Sequence, residues 1–206
     1  MSKLIRVKPN DKDWINYTPK HSVFIDIGVG VVNSEAWLIK DKWPKTKIIG
    51  LEPHSGRLDK CKESFPGKIL RYAIWHEDAE LEMQNIDGMA VCFPRTHQVG
   101  PSKTKVKGRS LDSLNDQFGP WENIFIWSDT EGSELEMLKG ATKLLEQKKI
   151  VGLNLEVWRY WQADGWCIYD EVVEFLAAYG FEPRYLTQDP DTWKFADCIF
   201  LPHSNL

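Results

Sequence analysis

Three groups of residues have the types and spacing for chemistry. The first is Val23-Phe24-Ile25-Asp26-Ile27-Gly28-Val29-Gly30, an apolar run that enters Asp-x-Gly-x-Gly. Such a turn needs backbone that tolerates positive φ and lets a ligand come close, and glycine supplies both because it lacks Cβ. The second is Glu52, which closes the next apolar run, Lys47-Ile48-Ile49-Gly50-Leu51. A carboxylate at that strand end is placed to accept hydrogen bonds from the two hydroxyls of a ribose. The third is Asp129 with Glu131, just beyond the run Asn123-Ile124-Phe125-Ile126-Trp127-Ser128. Two close carboxylates raise one another's proton affinity, which suits one of them to take a hydroxyl proton near neutral pH. The same pair could hold a divalent metal, or Glu131 could cap the helix that follows.

These groups meet only if several strands end along one edge. From Val23 onward, apolar runs alternate with amphipathic segments. The pattern predicts helices from Asn33 or Ser34 to Lys42, from Ser55 to Ser64, from Ser133 to Leu145 and from Asp170 to Tyr179. Between them it predicts strands at 23–27, 47–51, 68–74, 123–128 and 150–157, then two closing extended runs, 181–186 and 193–201. Leu81 to Gln84 and Met89 to Phe93 flank Asp87-Gly88 and read as a hairpin. The stretch with Pro94, Gly100 and Pro101 suits a lid or substrate loop. Residues 1–22 read as an arm or short helix and 23–206 as one domain. Strand–helix alternation with a closing hairpin predicts an α/β fold, a mostly parallel sheet with an antiparallel edge.

Bulk properties narrow the class. The length and the 42% hydrophobic, 27% charged composition suit one globular domain with a sizeable core. A net charge of −4 argues against a dedicated nucleic-acid binder. The basic run Lys103-Thr104-Lys105-Val106-Lys107-Gly108-Arg109 is the exception, and it reads as a solvated loop or edge strand. No stretch approaches the ~20 apolar residues of a membrane span. The N-terminus lacks an apolar signal core, so the expected location is cytoplasmic. Cys61, Cys92, Cys167 and Cys198 are scattered and form no metal-binding pair, which predicts free thiols.

The segment Ile126-Trp127-Ser128-Asp129-Thr130-Glu131-Gly132-Ser133-Glu134-Leu135-Glu136-Met137-Leu138-Lys139-Gly140 is similar to the "K-I-D-V-E-G-A-E-L-E-V-L-K-G" signature of FkbM-type S-adenosylmethionine-dependent methyltransferases. Supporting segments follow in the family's order: Phe24 to Gly28, Gly50-Leu51-Glu52-Pro53, Ser110-Leu111-Asp112 and Leu155-Glu156. The resemblance runs from about Val23 to Leu201. It implies the class I methyltransferase (Rossmann-like) fold, a seven-stranded sheet of order 3-2-1-4-5-7-6 with helices on both faces. The chain departs from the family at Gly30, where asparagine is usual, at Val32, where glycine is usual, and at Trp127, where lysine is usual.

The resemblance implies S-adenosylmethionine as cofactor, with a divalent metal as an option. Methyl transfer from a sulfonium is an in-line displacement, so the protein mainly aligns the acceptor and removes its proton. Gly28 and Gly30 would admit the methionine end, Asp26 would bind its ammonium, Glu52 the ribose, and Ala73 would leave room beside the adenine. Asp129 and Glu131 would be catalytic, and Glu156 is a lesser candidate on the acceptor side. The aromatic cluster Trp158-Arg159-Tyr160-Trp161 with Trp166 could stack on an acceptor or simply fill the core. The expected activity is O-methylation of a sugar-containing or other small metabolite, with a small-molecule or glycan acceptor and neither nucleic acid nor membrane as partner. The rivals are a methyltransferase-like binding protein without catalysis and an NAD-dependent oxidoreductase. The sequence leaves the acceptor, the oligomeric state and metal use open.

Overall fold

The computed structural model describes residues 5–6, 12–30, 34–86, 89–93, 103–160, 166–188 and 193–203. In chain order the elements are β1 (Ile5–Arg6), a 3-10 helix (Lys12–Tyr17), β2 (Val23–Ile27), α1 (Ser34–Lys42), β3 (Lys47–Leu51), α2 (Ser55–Cys61), β4 (Lys68–Leu70) and β5 (Ala73–Ile74). They continue with β6 (Ala79–Ile86), β7 (Met89–Phe93), β8 (Lys103–Arg109), α3 (Leu111–Phe118), β9 (Ile124–Ser128), α4 (Glu134–Lys139) and α5 (Thr142–Glu146). The chain closes with β10 (Ile150–Trp158), α6 (Tyr169–Ala177), β11 (Phe181–Leu186) and β12 (Phe195–Pro202).

The main sheet has the order β1-β11-β12-β10-β9-β2-β3-β4. All pairings are parallel except those of β12, which runs antiparallel to both β10 and β11. Without β1, this is the 3-2-1-4-5-7-6 order that the sequence implies. β2 is fully buried because it lies at the centre with β3 and β9 on either side. Its side chains alternate between two cores, as the two-residue period of a strand demands. Val23, Ile25 and Ile27 join Ile126 and Leu155 beneath α3 to α6, while Phe24 joins Phe125, Ala36 and Ile39 beneath α1.

Three sequence expectations are corrected. The predicted strand 68–74 breaks at Arg71-Tyr72, so β4 ends the main sheet and β5 opens a second one, of order β5-β8-β6-β7. Ala73 therefore starts a strand of the small sheet, paired with Gly108, rather than ending the third strand of the large one. The basic run is β8, which β6 pairs along Lys103–Gly108 and β5 only at Gly108 and Arg109, so it is interior at its last two residues while Lys105 and Lys107 stay on a solvated edge, as expected. Val106 points into its small core, while Lys105 faces solvent and reaches Glu80 at 2.7 Å. The predicted helix 133–145 is two helices, α4 and α5, divided where the chain at Gly140 passes against the carbonyl of Trp75. The N-terminal arm adds β1 beside β11, and Trp14 of the 3-10 helix is buried against Trp127, with ring centroids 4.4 Å apart. The hairpin is present as β6 and β7, whereas its turn, the proposed lid, Val32 and Trp161 lie outside the described residues. Among the described residues no helix is long and apolar enough to cross a membrane.

One glycine joins the two strand-end loops that matter most. Gly28 has φ +83°, and a Cβ there would lie 2.0 Å from the carbonyl oxygen of Asp129. Gly180 has a similar φ, +81°, but its Cβ would meet only His203 at 4.0 Å. Left-handed backbone alone costs an L-residue roughly 1–2 kcal/mol. Denaturant unfolding should therefore show about that loss for Gly180→Ala and a loss larger by at least ~2 kcal/mol for Gly28→Ala, because backbone must also move. Equal losses would mean the two loops are not packed as described.

Candidate functional site

A cavity of about 520 Å³ opens at the C-terminal ends of β2, β3, β9 and β10, where ligands bind in open α/β sheets. Each residue given a cofactor-binding or catalytic role lines it, Asp26, Gly28, Gly30, Glu52, Ala73, Asp129 and Glu131, whereas Trp158, Arg159, Tyr160 and Trp166 of the aromatic cluster do not. Glu156 and Trp127 line it as well. Glu35, Arg57, Tyr72 and Asp197 complete the wall without having been anticipated. Asp197 stands directly opposite Glu156 in the β10–β12 pairing, a register that no local pattern reveals. Arg57 enters from α2, a short helix whose facing had no clear periodic signal.

The first half of the cavity is shaped by backbone. The Gly28 N–H donates to Leu51 O at 2.9 Å, and the Asp129 N–H donates to Ile27 O at 3.0 Å, so three strand ends are tied at the turn. Glu52 is only 2% exposed. One of its oxygens accepts from the Gly30 N–H at 2.9 Å and the other from the His54 N–H at 2.8 Å. These bonds fix the carboxylate plane while leaving each oxygen a further lone pair. His54 then caps α2, accepting from the Arg57 N–H through Nδ1 at 3.2 Å. Asp26 is also buried. Loss of hydration, followed by the nearby charges of Glu35, Asp129 and Glu52, holds its carboxyl well above the usual range.

The second half is a wall of acids. Asp129 follows β9 and is exposed to the cavity. Burial, then Glu35, raises its proton affinity, and Arg57 opposes them. Glu131 sits at φ +53°, a conformation that costs an L-residue energy and turns the loop into the cavity. Burial and Asp129 push its carboxyl to about 6, again opposed by Arg57. Glu156 is pushed to about 9 by burial first and then by Asp129, Glu131, Glu134 and Asp197. Asp197 is pushed to about 7, chiefly by burial and Asp129. Asp129, Glu131 and Glu156 each offer a carboxylate oxygen, all within 4.8 Å of one another. Such an all-oxygen set suits a hard divalent cation.

A fully buried carboxyl supports this loop from below. Glu134 accepts from the Thr130 N–H at 2.9 Å and from the Thr130 hydroxyl at 2.7 Å. Burial still pushes Glu134 to about 7 against those bonds. The capping role considered for Glu131 is therefore corrected: α4 begins at Glu134, its N-cap is Ser133, and the acid that binds the loop is Glu134. Beyond the acids, Trp158 donates from Nε1 to Glu156 at 3.3 Å. Its ring meets Trp166 at 4.9 Å and Phe195 at 5.0 Å. Phe195 is 47% exposed, so this aromatic patch is not wholly core.

The fold is shared with solved methyltransferases at very low identity. The chain has a TM-score of 0.53 to a putative rRNA-methylase from Clostridium thermocellum, with 12% identity and 93% of each chain covered. Fibrillarin from Aeropyrum pernix with natively bound S-adenosyl-L-methionine gives 0.51 at 8% identity, covering 88% of this chain and 66% of that one. The plantazolicin methyltransferase BamL, in complex with a triazolic desmethylPZN analog and SAH, gives 0.50 at 7%, covering 92% and 80%. No curated protein matches the sequence. The sheet order is that of the class I methyltransferase fold. Residues 26–183 match the methyltransferase FkbM domain model, and the chain belongs to that family. This membership displaces the nicotinamide reading of the Glu52 pocket.

The raised carboxyls make stability depend on pH in one direction. Glu156 holds its proton up to about 9 when folded, against 4.5 for its ordinary value. The folded chain thus binds more protons than the unfolded one between those values, and stability falls as pH rises through the window. The melting temperature of the ligand-free protein should decline from pH 5 to pH 9, and Glu156→Gln should flatten that decline. A variant whose profile parallels wild type would show that Glu156 titrates normally.

Proposed function

We propose that this protein transfers a methyl group from S-adenosylmethionine to an oxygen of a hydroxylated small metabolite or sugar-bearing acceptor. The observation that carries this reading is the two-part cavity. A fixed carboxylate at Glu52 is matched to a ribose on one side, and Asp129 and Glu131 have raised proton affinity on the other. Glu52 would bind the ribose hydroxyls through its remaining lone pairs, Gly28 and Gly30 would admit the methionine end, and Asp26 would meet its ammonium. Ala73, beside Tyr72, would leave room for the adenine ring.

The bound cofactor supplies an electrophilic methyl on a positively charged sulfur. The chain's own contribution is to align the acceptor and receive its proton. On the acceptor side Asp129 or Glu131 would hold the acceptor hydroxyl in line with that methyl and would receive its proton. Glu131, pushed to about 6, would still be largely ionised at neutral pH while holding a proton more firmly than an ordinary carboxylate. A divalent ion on Asp129, Glu131 and Glu156 is a second way to lower the hydroxyl's pKa, and their mutual spacing favours considering it. The acidic wall disfavours phosphate-rich acceptors, in keeping with an acceptor that is not nucleic acid.

Two substitutions test the two halves. Glu52→Ala should weaken S-adenosylmethionine binding by ~1–3 kcal/mol, the scale of lost charge-assisted hydrogen bonds, as read by calorimetric titration well below the variant's unfolding temperature. Unchanged affinity would remove Glu52 from the ribose site. With an acceptor found by screening hydroxylated metabolites and glycans, Asp129→Asn should lower turnover by ~10²-fold or more while cofactor affinity stays within a few-fold. Loss sensitive to chelator would assign a metal role, and loss insensitive to chelator a base role. Abolished cofactor binding would move Asp129 to the methionine end. Tight cofactor binding without transfer to any acceptor would favour a methyltransferase-like binding protein.

A further inference from the structure

The basic run ends at Arg109, which lies just behind the cavity wall. Tyr72 lines the cavity and Arg109 does not. The two side chains nonetheless meet, with the Arg109 guanidinium carbon 5.4 Å from the centroid of the Tyr72 ring. The ring thus borders the cavity while a cation covers one of its faces. Arg109 is held there from several directions. Its Nε pairs with Asp78 at 2.8 Å, and its Nη1 donates to Gln117 at 3.1 Å. Asp78 is itself fixed, accepting from the Ser110 N–H at 3.0 Å and from the Ser113 hydroxyl at 2.6 Å. The backbone is locked as well: Ile74 stands opposite Arg109 in the β5–β8 pairing, and the Trp75 N–H donates to the Arg109 carbonyl at 3.0 Å. Tyr72 has no such support of its own. It belongs to neither sheet, and its N–H only reaches back to Leu70 O at 3.1 Å.

We propose that Arg109, clamped by Asp78, is a positioning residue for the nucleobase: it holds the Tyr72 ring as the wall against which the cofactor's adenine packs. The inference rests on the cofactor pocket proposed above, which puts the adenine beside Ala73 and Tyr72, and it adds a control point outside that pocket. A cation over an aromatic face is attracted by the ring's π density, most strongly where water is excluded. The Arg109 side chain is only 21% exposed, so the contact is partly shielded from water. A ring already held in place receives a flat purine without the entropy loss of being ordered at that moment. Arg109 is not itself a site for an anionic ligand, since it lies off the cavity with Nε and Nη1 already taken. The break at Arg71-Tyr72 gains a use in this arrangement. Leaving the main sheet at β4 brings Tyr72 to the cavity, and entering the small sheet at β5 brings Arg109 of the neighbouring strand onto Tyr72.

A double-mutant cycle read by calorimetric titration tests this, well below the unfolding temperature of each variant. The probes are S-adenosylhomocysteine and methylthioadenosine, which keeps adenine and ribose but lacks the amino-acid end. Arg109→Met retains an apolar stem and removes the charge and its fork. It should weaken both ligands by ~3–10-fold, the range of a partly desolvated cation–π contact. Tyr72→Leu should weaken both by about 10-fold, the scale of a lost base–aromatic contact. In the Tyr72→Leu background, Arg109→Met should change either affinity by less than ~2-fold, a coupling that general loosening of the fold would not produce. Asp78→Asn keeps Arg109 but releases its grip, and it reads the same clamp should Arg109→Met fail to fold. Its loss should be smaller and equally dependent on Tyr72. Equal losses with and without Tyr72, or no loss from either variant, would overturn the proposal and leave the pocket standing. Loss confined to S-adenosylhomocysteine would overturn it by moving Arg109 to the amino-acid end, and wild type that ignores methylthioadenosine would overturn it by showing that adenine is not held. Failure of both ligands to bind wild type would sink the pocket reading itself, and this inference with it.

Discussion

The contact on which the rest depends is the one between the loops after β2 and β9. Gly28 has no side chain, and the space a Cβ would occupy is taken by the Asp129 carbonyl, 2.0 Å from where that carbon would lie. Hydrogen bonds from Asp129 to Ile27 and from Gly28 to Leu51 lock the same point. The loop that would admit a cofactor and the loop that would act on an acceptor are therefore one rigid unit. Precise mutual placement of that kind is what an in-line displacement requires. The glycine that a sequence motif assigns to ligand approach is required by the fold even when no ligand is present.

The same edge concentrates charge that the fold must hold in place. Glu131 keeps a left-handed backbone, Glu134 is buried beneath it on Thr130, and Glu156 and Asp197 retain protons well above their ordinary range. Each feature is unfavourable for stability alone, and all of them surround one cavity. Natural sequences break local rules mainly where function needs it, and this clustering is the ground for proposing that the chemistry takes place at the acid wall.

Much of this was legible in the sequence because it is local. A run such as Val23–Ile27 announces a buried central strand, and the glycines and acids after each strand announce the ligand edge. The antiparallel β12 and the sheet order also followed, the order through the family signature at Ile126–Gly140. What escaped was long-range. The break at Arg71-Tyr72 depends on β8 arriving to pair with Ala73, and the split of α4 from α5 depends on Trp75 crossing at Gly140. Asp197 reaches the cavity only through its register with Glu156, and Arg57 only through the direction of a helix of seven residues. Trp127, a departure from the family's lysine, is explained by its packing against Trp14 of the N-terminal segment.

The central claim is that the cavity between the Gly28 turn and Glu131 holds the adenosyl cofactor. A crystal structure of the protein soaked with S-adenosylhomocysteine tests it most directly. The account predicts density along the C-terminal edge of β2, β3 and β9, with both ribose hydroxyls on Glu52, the adenine beside Ala73 and Tyr72, and the sulfur facing Asp129. A nucleoside seated elsewhere, or a ribose that leaves Glu52 bonded only to Gly30 and His54, would contradict it.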